Sequence, residues 1–182
     1  MTRVLSSLVA TCTLALLPLA AQAADHAPKK ITVLMKTADG KAAGKAELSQ
    51  KKDGVEVKVD LMNLPPGQHA IHIHQNAKCD APDFKTAGGH YNPGSKKHGM
   101  NNPEGHHAGD LPINLTVGAD GKVKTSALDP DVSLDPDAVN SLFTNGGTAL
   151  MVHEKADDFL TDPTGAAGNR IACGVIVLPG KM

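Results

Sequence analysis

Val55-Glu56-Val57-Lys58-Val59-Asp60-Leu61 places four apolar side chains on one side of an extended chain and three charged ones on the other. Side chains alternate across a strand, so this period of two marks a strand with one buried and one wet face. Strands of that kind belong to antiparallel sheets. Upstream, Ile31, Val33 and Met35 are interleaved with Thr32, Leu34 and Lys36 in the same rhythm, and residues 46–49 form a weaker strand. Asp53-Gly54, just before the deciding stretch, reads as a hairpin turn. Downstream, residues 69–74, 113–117, 122–128, 148–153 and 171–178 are further strand candidates, with Asp120-Gly121 as a second turn. Eight short strands, no convincing amphipathic helix and Gly or Pro at most joins predict an all-β sandwich or barrel. Phe84, Tyr91, Phe143 and Phe159 are the only aromatics, so the core must be built from Val, Ile, Leu, Ala and Met.

The ends and the composition bound what this frame can be used for. Residues 1–23 hold one charge, Arg3, then an apolar run over 4–20 and Ala21-Gln22-Ala23. That is the pattern of a secretory signal peptide with an A-x-A cleavage site, so residues 1–23 are expected to be removed. The run is too short, and too broken by Ser, Thr and Pro18, to read as a membrane anchor. Val9-Ala10-Thr11-Cys12 has only a distant look of a lipoprotein signal, since Thr before Cys12 fits poorly. Residues 24–182 are then a single domain of 159 residues in the periplasm or outside the cell. The removed segment carries one of 18 basic and none of 19 acidic residues, which leaves a formal charge of −2. There is no basic field for nucleic acid and, after cleavage, nothing for a membrane. Cys79 and Cys173 remain, and in an exported protein they most simply form a disulfide; free thiols or thiolate metal ligands are the alternatives.

Between the strands lies a long irregular stretch, residues 75–110, rich in Gly, Asn, Pro and His and poor in anything that builds a core. Its order is expected to come from metal ions and the disulfide rather than from apolar burial. Two other irregular segments, 129–147 and 154–170, also interrupt the sheet. His72-Ile73-His74 sits on a strand, so both imidazoles point to one face, although H-x-H alone is weak. His69 has the opposite parity and reads as a structural histidine. His90, His98 and His107, with Asp110 three residues further on, make a closed three-imidazole, one-carboxylate set of the kind structural Zn²⁺ prefers. His106 and His26 read as surface residues. His153 ends an apolar strand; with His72, His74 and His90, the last using both ring nitrogens, it completes an all-nitrogen set of the kind Cu(II) favours.

At this point the residues resemble a known family. His72-x-His74, Cys79, Gly89-His90-x-Asn92-Pro93, Lys97-His98-Gly99, His107-x-Gly109-Asp110-Leu111, 152–158 (VHEKADD) and Arg170-x-Ala172-Cys173-Gly174-Val175 resemble copper/zinc superoxide dismutase of the exported bacterial type. The resemblance spans essentially the whole mature chain in order and spacing. It implies a flattened eight-stranded antiparallel Greek-key barrel with two long functional loops, a sandwich-type architecture already known for this enzyme family. It implies copper held by His72, His74, His90 and His153, zinc held by His90, His98, His107 and Asp110, and His90 as the shared bridge. Asp157 would link His72 to His98, and the Cys79–Cys173 disulfide would tie the ligand loop to the last strand. The activity implied is dismutation of superoxide to oxygen and hydrogen peroxide, with His90 handling a proton and Arg170 clamping the anion. Lys155 and the 154–170 segment are candidates for a local positive funnel, and Lys96 and Lys97 are given no role. A secreted copper- or zinc-binding module that buffers metal without catalysis is the alternative, although carriers tend to use softer donors. A zinc hydrolase needs an open coordination position, which Asp110 closes. A homodimer is as compatible with the sequence as a monomer.

Overall fold

The computed structural model describes residues 27–180. The expected signal peptide, Cys12 and His26 lie outside the described residues, as do Lys181 and Met182. Eight strands follow in order: β1 (Lys30–Thr37), β2 (Ala42–Lys51), β3 (Gly54–Leu61), β4 (Gly67–His74), β5 (Asp110–Val117), β6 (Val123–Asp129), β7 (Thr148–His153) and β8 (Arg170–Ile176). Every strand expected from the alternation is present. The one-face-buried pattern is plain in β1, where Ile31, Val33 and Met35 are buried and Thr32, Leu34 and Lys36 are exposed. Among the described residues the only helices are two three-residue 3₁₀ turns.

The strands form one sheet in the order β5-β4-β7-β8-β1-β2-β3-β6, with every pair antiparallel. Its two outer strands, β5 and β6, pack against each other, so the sheet nearly closes into a barrel. The run β3 to β6 therefore lies in the spatial order 3-6-5-4, which is a Greek key. Inside it, Val33, Leu48, Val57, Ile71, Ile73, Leu115 and Leu150 belong to one continuous cluster, joined by Tyr91 and Phe143. Each such aliphatic side chain contributes about 1.5–3 kcal/mol by leaving water.

Two expectations need correcting. Gly54 is not a turn residue: it already pairs with Lys51, and Lys52 and Asp53 make the turn. Its φ of +136° and its closeness to the Asp129 carbonyl, which a Cβ would strike, explain the glycine instead. The irregular stretch after β4 is also not without apolar anchorage. Phe84 is fully buried and, with Cys79 and Ala87, packs on Ala149, Met151 and Cys173 in a satellite cluster outside the barrel. Asp120-Gly121 turns the chain between β5 and β6 as expected, with Gly121 N–H donating to Gly118 O at 2.9 Å.

Candidate metal centre

The outer faces of β4 and β7 carry the site. Ile71 and Ile73 of β4 point into the barrel, so His72 and His74 point out; in β7, Leu150 and Val152 point in and His153 points out with Met151. In an ordinary barrel these outer positions would be wet. Here all six residues of β7 and the last six of β4 are buried, because the irregular segments lie over them.

The chain after β4 folds back against it. Gln75 N–H donates to Gly89 O at 2.9 Å, Tyr91 N–H to Ile73 O at 2.7 Å, and His74 and His90 face each other in a single bridge. Gly109 then closes the weave: Ile73 N–H donates to Gly109 O, and Gly109 N–H to Tyr91 O, both at 2.8 Å. A Cβ at Gly109 would strike the Ile73 carbonyl, so only glycine allows this approach. Three backbone segments thus bring His90, His107 and Asp110 beside His72 and His74.

Two groups of ligand atoms result. Those of His72, His74, His90 and His153 lie within 4.8 Å of one another, and so do those of His72, His90, His98 and Asp110. His107 stands just outside the second group, yet its Nδ1 is 3.3 Å from His90 Nδ1 and 3.2 Å from Asp110 Oδ1. His98 Nδ1 is 3.0 Å from Asp110 Oδ2. Every residue expected in the two sets, and the Asp157 that links them, therefore comes together in one buried cluster, with His72 and His90 common to both groups.

The outward hydrogen bonds decide which nitrogen of each ring looks inward. His72 Nε2–H donates to Asp157 Oδ2 at 2.8 Å, and His98 Nε2–H to Asp157 Oδ1 at 2.9 Å, so each presents Nδ1. His74 Nδ1–H donates to Gly88 O at 2.9 Å and presents Nε2, which lies 3.2 Å from His153 Nε2. Among the described residues, His72 Nδ1 and His90 Nε2 are buried with no hydrogen-bond partner, while the inward His98 Nδ1 faces the Asp110 carboxylate. Buried polar atoms are nearly always satisfied, and each orphan costs about 1–3 kcal/mol. Two orphaned imidazole nitrogens in one cluster, beside a third that meets only a carboxylate, fit bound metal ions.

Arg170 begins β8 opposite His153 and is half-buried. Its guanidinium donates to Phe84 O and Gly88 O, both at 2.6 Å, so the satellite cluster fixes it. It lines an open cleft of about 450 Å³ together with Pro82, Asp83, Lys85, Gly168 and Asn169. Cys79 and Cys173 are bonded, with Cα atoms 5.7 Å apart. His69 is buried, spanning the carbonyls of His153 and Pro65, and His106 pairs with Asp131 at 2.9 Å away from the cluster. Sequence reasoning missed Asn114, which grips the Asp157 backbone twice: its Oδ1 accepts the Asp157 N–H at 2.7 Å and its Nδ2 donates to Asp157 O at 2.9 Å. An Asn in mid-strand, where that residue type is disfavoured, was the available signal.

Residues 42–176 match the family described as Copper/zinc superoxide dismutase (SODC). The chain belongs to the copper/zinc superoxide dismutase family. It is 53% identical over 138 residues to superoxide dismutase [Cu-Zn] 1 of Aquifex aeolicus, covering 75% of this chain and 81% of that one. Among solved structures it resembles a SOD-like protein from Bacillus subtilis (TM-score 0.77, 42% identity, 80% of this chain and 97% of that one). It also resembles the Cu/Zn superoxide dismutase from Brucella abortus (TM-score 0.66, 35% identity, 81% and 99%).

The electrostatics of four of the rings suit the metals of a copper/zinc superoxide dismutase. Burial lowers the pKa values of His72 and His74, pushes His90 down to about 4 despite its bond to Asp110, and takes His153 to about 3. These rings are neutral at pH 7, as metal ligands must be. His98 differs: burial opposes its charge, but the Asp110 and Asp157 carboxylates outweigh that and hold it up at about 9. Burial likewise opposes ionisation of Asp110, yet hydrogen bonds from His107, His90 and His98 keep it far below the usual carboxylate range. Asp157 is depressed in the same way by His72 and His98.

Proposed function

We propose that this chain converts two superoxide ions and two protons into oxygen and hydrogen peroxide, with copper held by His72, His74, His90 and His153 and zinc by His90, His98, His107 and Asp110. The observation that carries this reading is the pair of buried, partnerless nitrogens on His72 and His90 inside two overlapping ligand groups. Bound copper supplies the one-electron couple that dismutation needs and that zinc lacks.

The chain's own residues do the rest. Arg170 keeps its charge at any working pH and offers N–H donors in a cleft next to His153, so it attracts and orients a small anion. The formal charge of −2 makes this attraction a local one. His90 Nε2, free of any protein partner, is the atom where a proton is held and given up near the substrate. Asp157 keeps His72 and His98 turned so that neither can rotate away, and Asn114 holds Asp157 by its backbone. Phe84 and the Cys79–Cys173 bond hold the carbonyls that grip Arg170. The pattern of residues 1–23 supports export, and the Cys79–Cys173 bond suits the oxidising compartments outside the cytoplasm.

The test is metal content by mass spectrometry alongside superoxide consumption. One copper and one zinc per chain, with activity that disappears when copper alone is withheld, is the expected result. A fully loaded protein with no activity would reject catalysis in favour of a metal-buffering module.

A further inference from the structure

Asp162 belongs to neither metal group and does not line the Arg170 cleft, yet it crosses from the 154–170 segment to the ligand loop. Its Oδ1 accepts the backbone N–H of His98 at 2.9 Å, across 64 residues of sequence. Its Oδ2 lies 3.4 Å from Lys97 Nζ, but the Lys97 and Asp162 side chains are 51% and 40% exposed, so that ion pair is worth little. The bond from the His98 peptide is different, because an N–H to a carboxylate is charge-assisted and directional.

The surroundings show how closely the two segments are fitted here. Asn101 N–H donates to Phe159 O at 2.9 Å. A Cβ at Gly99 would strike the same Phe159 carbonyl, and a Cβ at Gly165 would strike Asp157 and the His98 ring. His98 is thus held from two directions by one segment: its ring by Asp157 and its peptide by Asp162.

We infer that Asp162 is a positioning residue, a clasp that fastens the 154–170 segment to the His98 peptide and so keeps Asp157 against the His98 ring with Nδ1 aimed at zinc. This rests on the zinc assignment proposed above. Losing the clasp leaves the metal ligands intact but lets the segment that orients one of them lift away. Asp162→Asn keeps an oxygen acceptor at the same reach, whereas Asp162→Ala removes it.

The experiment has two arms. In metal-free protein, hydrogen exchange at the His98 amide should speed up about tenfold in Asp162→Ala and return towards wild type in Asp162→Asn, the scale expected for one hydrogen bond to a charged group. In protein loaded with copper and zinc, transfer of zinc to a chromogenic chelator should accelerate by a similar factor in Asp162→Ala, with copper retained, and Asp162→Asn should rescue it. Cobalt placed in the zinc position should show an altered visible spectrum in Asp162→Ala only. Lys97→Ala should change none of these. Unchanged His98 exchange in Asp162→Ala, or zinc release equal to wild type, overturns the clasp, as does loss of zinc that Asp162→Asn fails to rescue. Asp162→Ser, too short to span the gap, serves if the alanine variant does not fold. A wild-type chain that takes up no zinc would sink the zinc assignment, while the exchange arm would still decide the clasp.

Discussion

His90 has Nδ1 turned to Asp110 at 2.8 Å and Nε2 turned to nothing, while its ring centroid lies 4.1 Å from that of His72. A single imidazole placed this way can serve one ion at each nitrogen. The residues around it divide by what they would lose on substitution. His107→Ala removes a nitrogen next to His90 Nδ1 and Asp110 Oδ1 while leaving the copper group whole. It should therefore lower zinc occupancy severely and leave copper bound, measured by mass spectrometry after dialysis. Arg170 offers no ligand atom to either group: it pairs with His153 across the β7–β8 register and shares the Gly88 carbonyl with His74, so Arg170→Ala should keep both metals. Its kcat/KM should fall about tenfold and become less sensitive to ionic strength, since a fixed local charge is what steers the anion. Steady-state rates at several salt concentrations check this.

At the scale of elements, β6 ends on a buried acid. Asp129 is 1% exposed; its Oδ1 accepts the Asp131 N–H at 3.0 Å and its Oδ2 has no partner. Burial, with the charges of Asp131 and Asp110, pushes it up to about 8. An acid raised in the fold stays neutral where the unfolded chain has already ionised. The contribution of Asp129 to stability is therefore full below about pH 4, declines as pH rises towards 8, and levels off above it. Asp129→Asn removes that decline, so in metal-free protein its advantage over wild type should grow from nothing near pH 4 to a few kcal/mol at pH 8, with an upper limit of about 5. Denaturant unfolding at pH 4.5, 6 and 8 measures it, and parallel curves for the two proteins would refute it. The neighbouring element shows what alternation conceals. β4 reads as half-buried by period, but its outward histidines are covered, because the fold lays two segments over that face.

At the scale of the whole molecule, one covalent bond ties the ligand loop to the last strand across 94 residues. The chain-entropy picture assigns such a loop roughly 4–5 kcal/mol. Here its removal also frees Phe84 and the carbonyls that hold Arg170. Cys79→Ser with Cys173→Ser should lower unfolding free energy by about that amount and lower kcat/KM more than metal content, measured by denaturant titration and by rates on reloaded protein. Much of this molecule was legible beforehand. The eight strands, the parity of His72 and His74 and the donor types of both groups follow from local periodicity and residue chemistry, which need no partner segment to be read. The rest was not legible, because it depends on which distant segments the closing barrel sets side by side. The Phe84 anchor was hidden in a stretch whose composition promised none.

By itself, then, the order of residues determined that the chain pairs as antiparallel strands with imidazoles and one carboxylate set to converge. Only the tertiary structure decided which nitrogen of each ring faces inward, that Asn114 and Asp162 hold the second segment in place, and that Arg170 stands over the cleft. Those choices are made by hydrogen bonds between residues 43, 64 and 86 positions apart. Contacts of that range exist only once the sheet has curled and brought both loops onto one face.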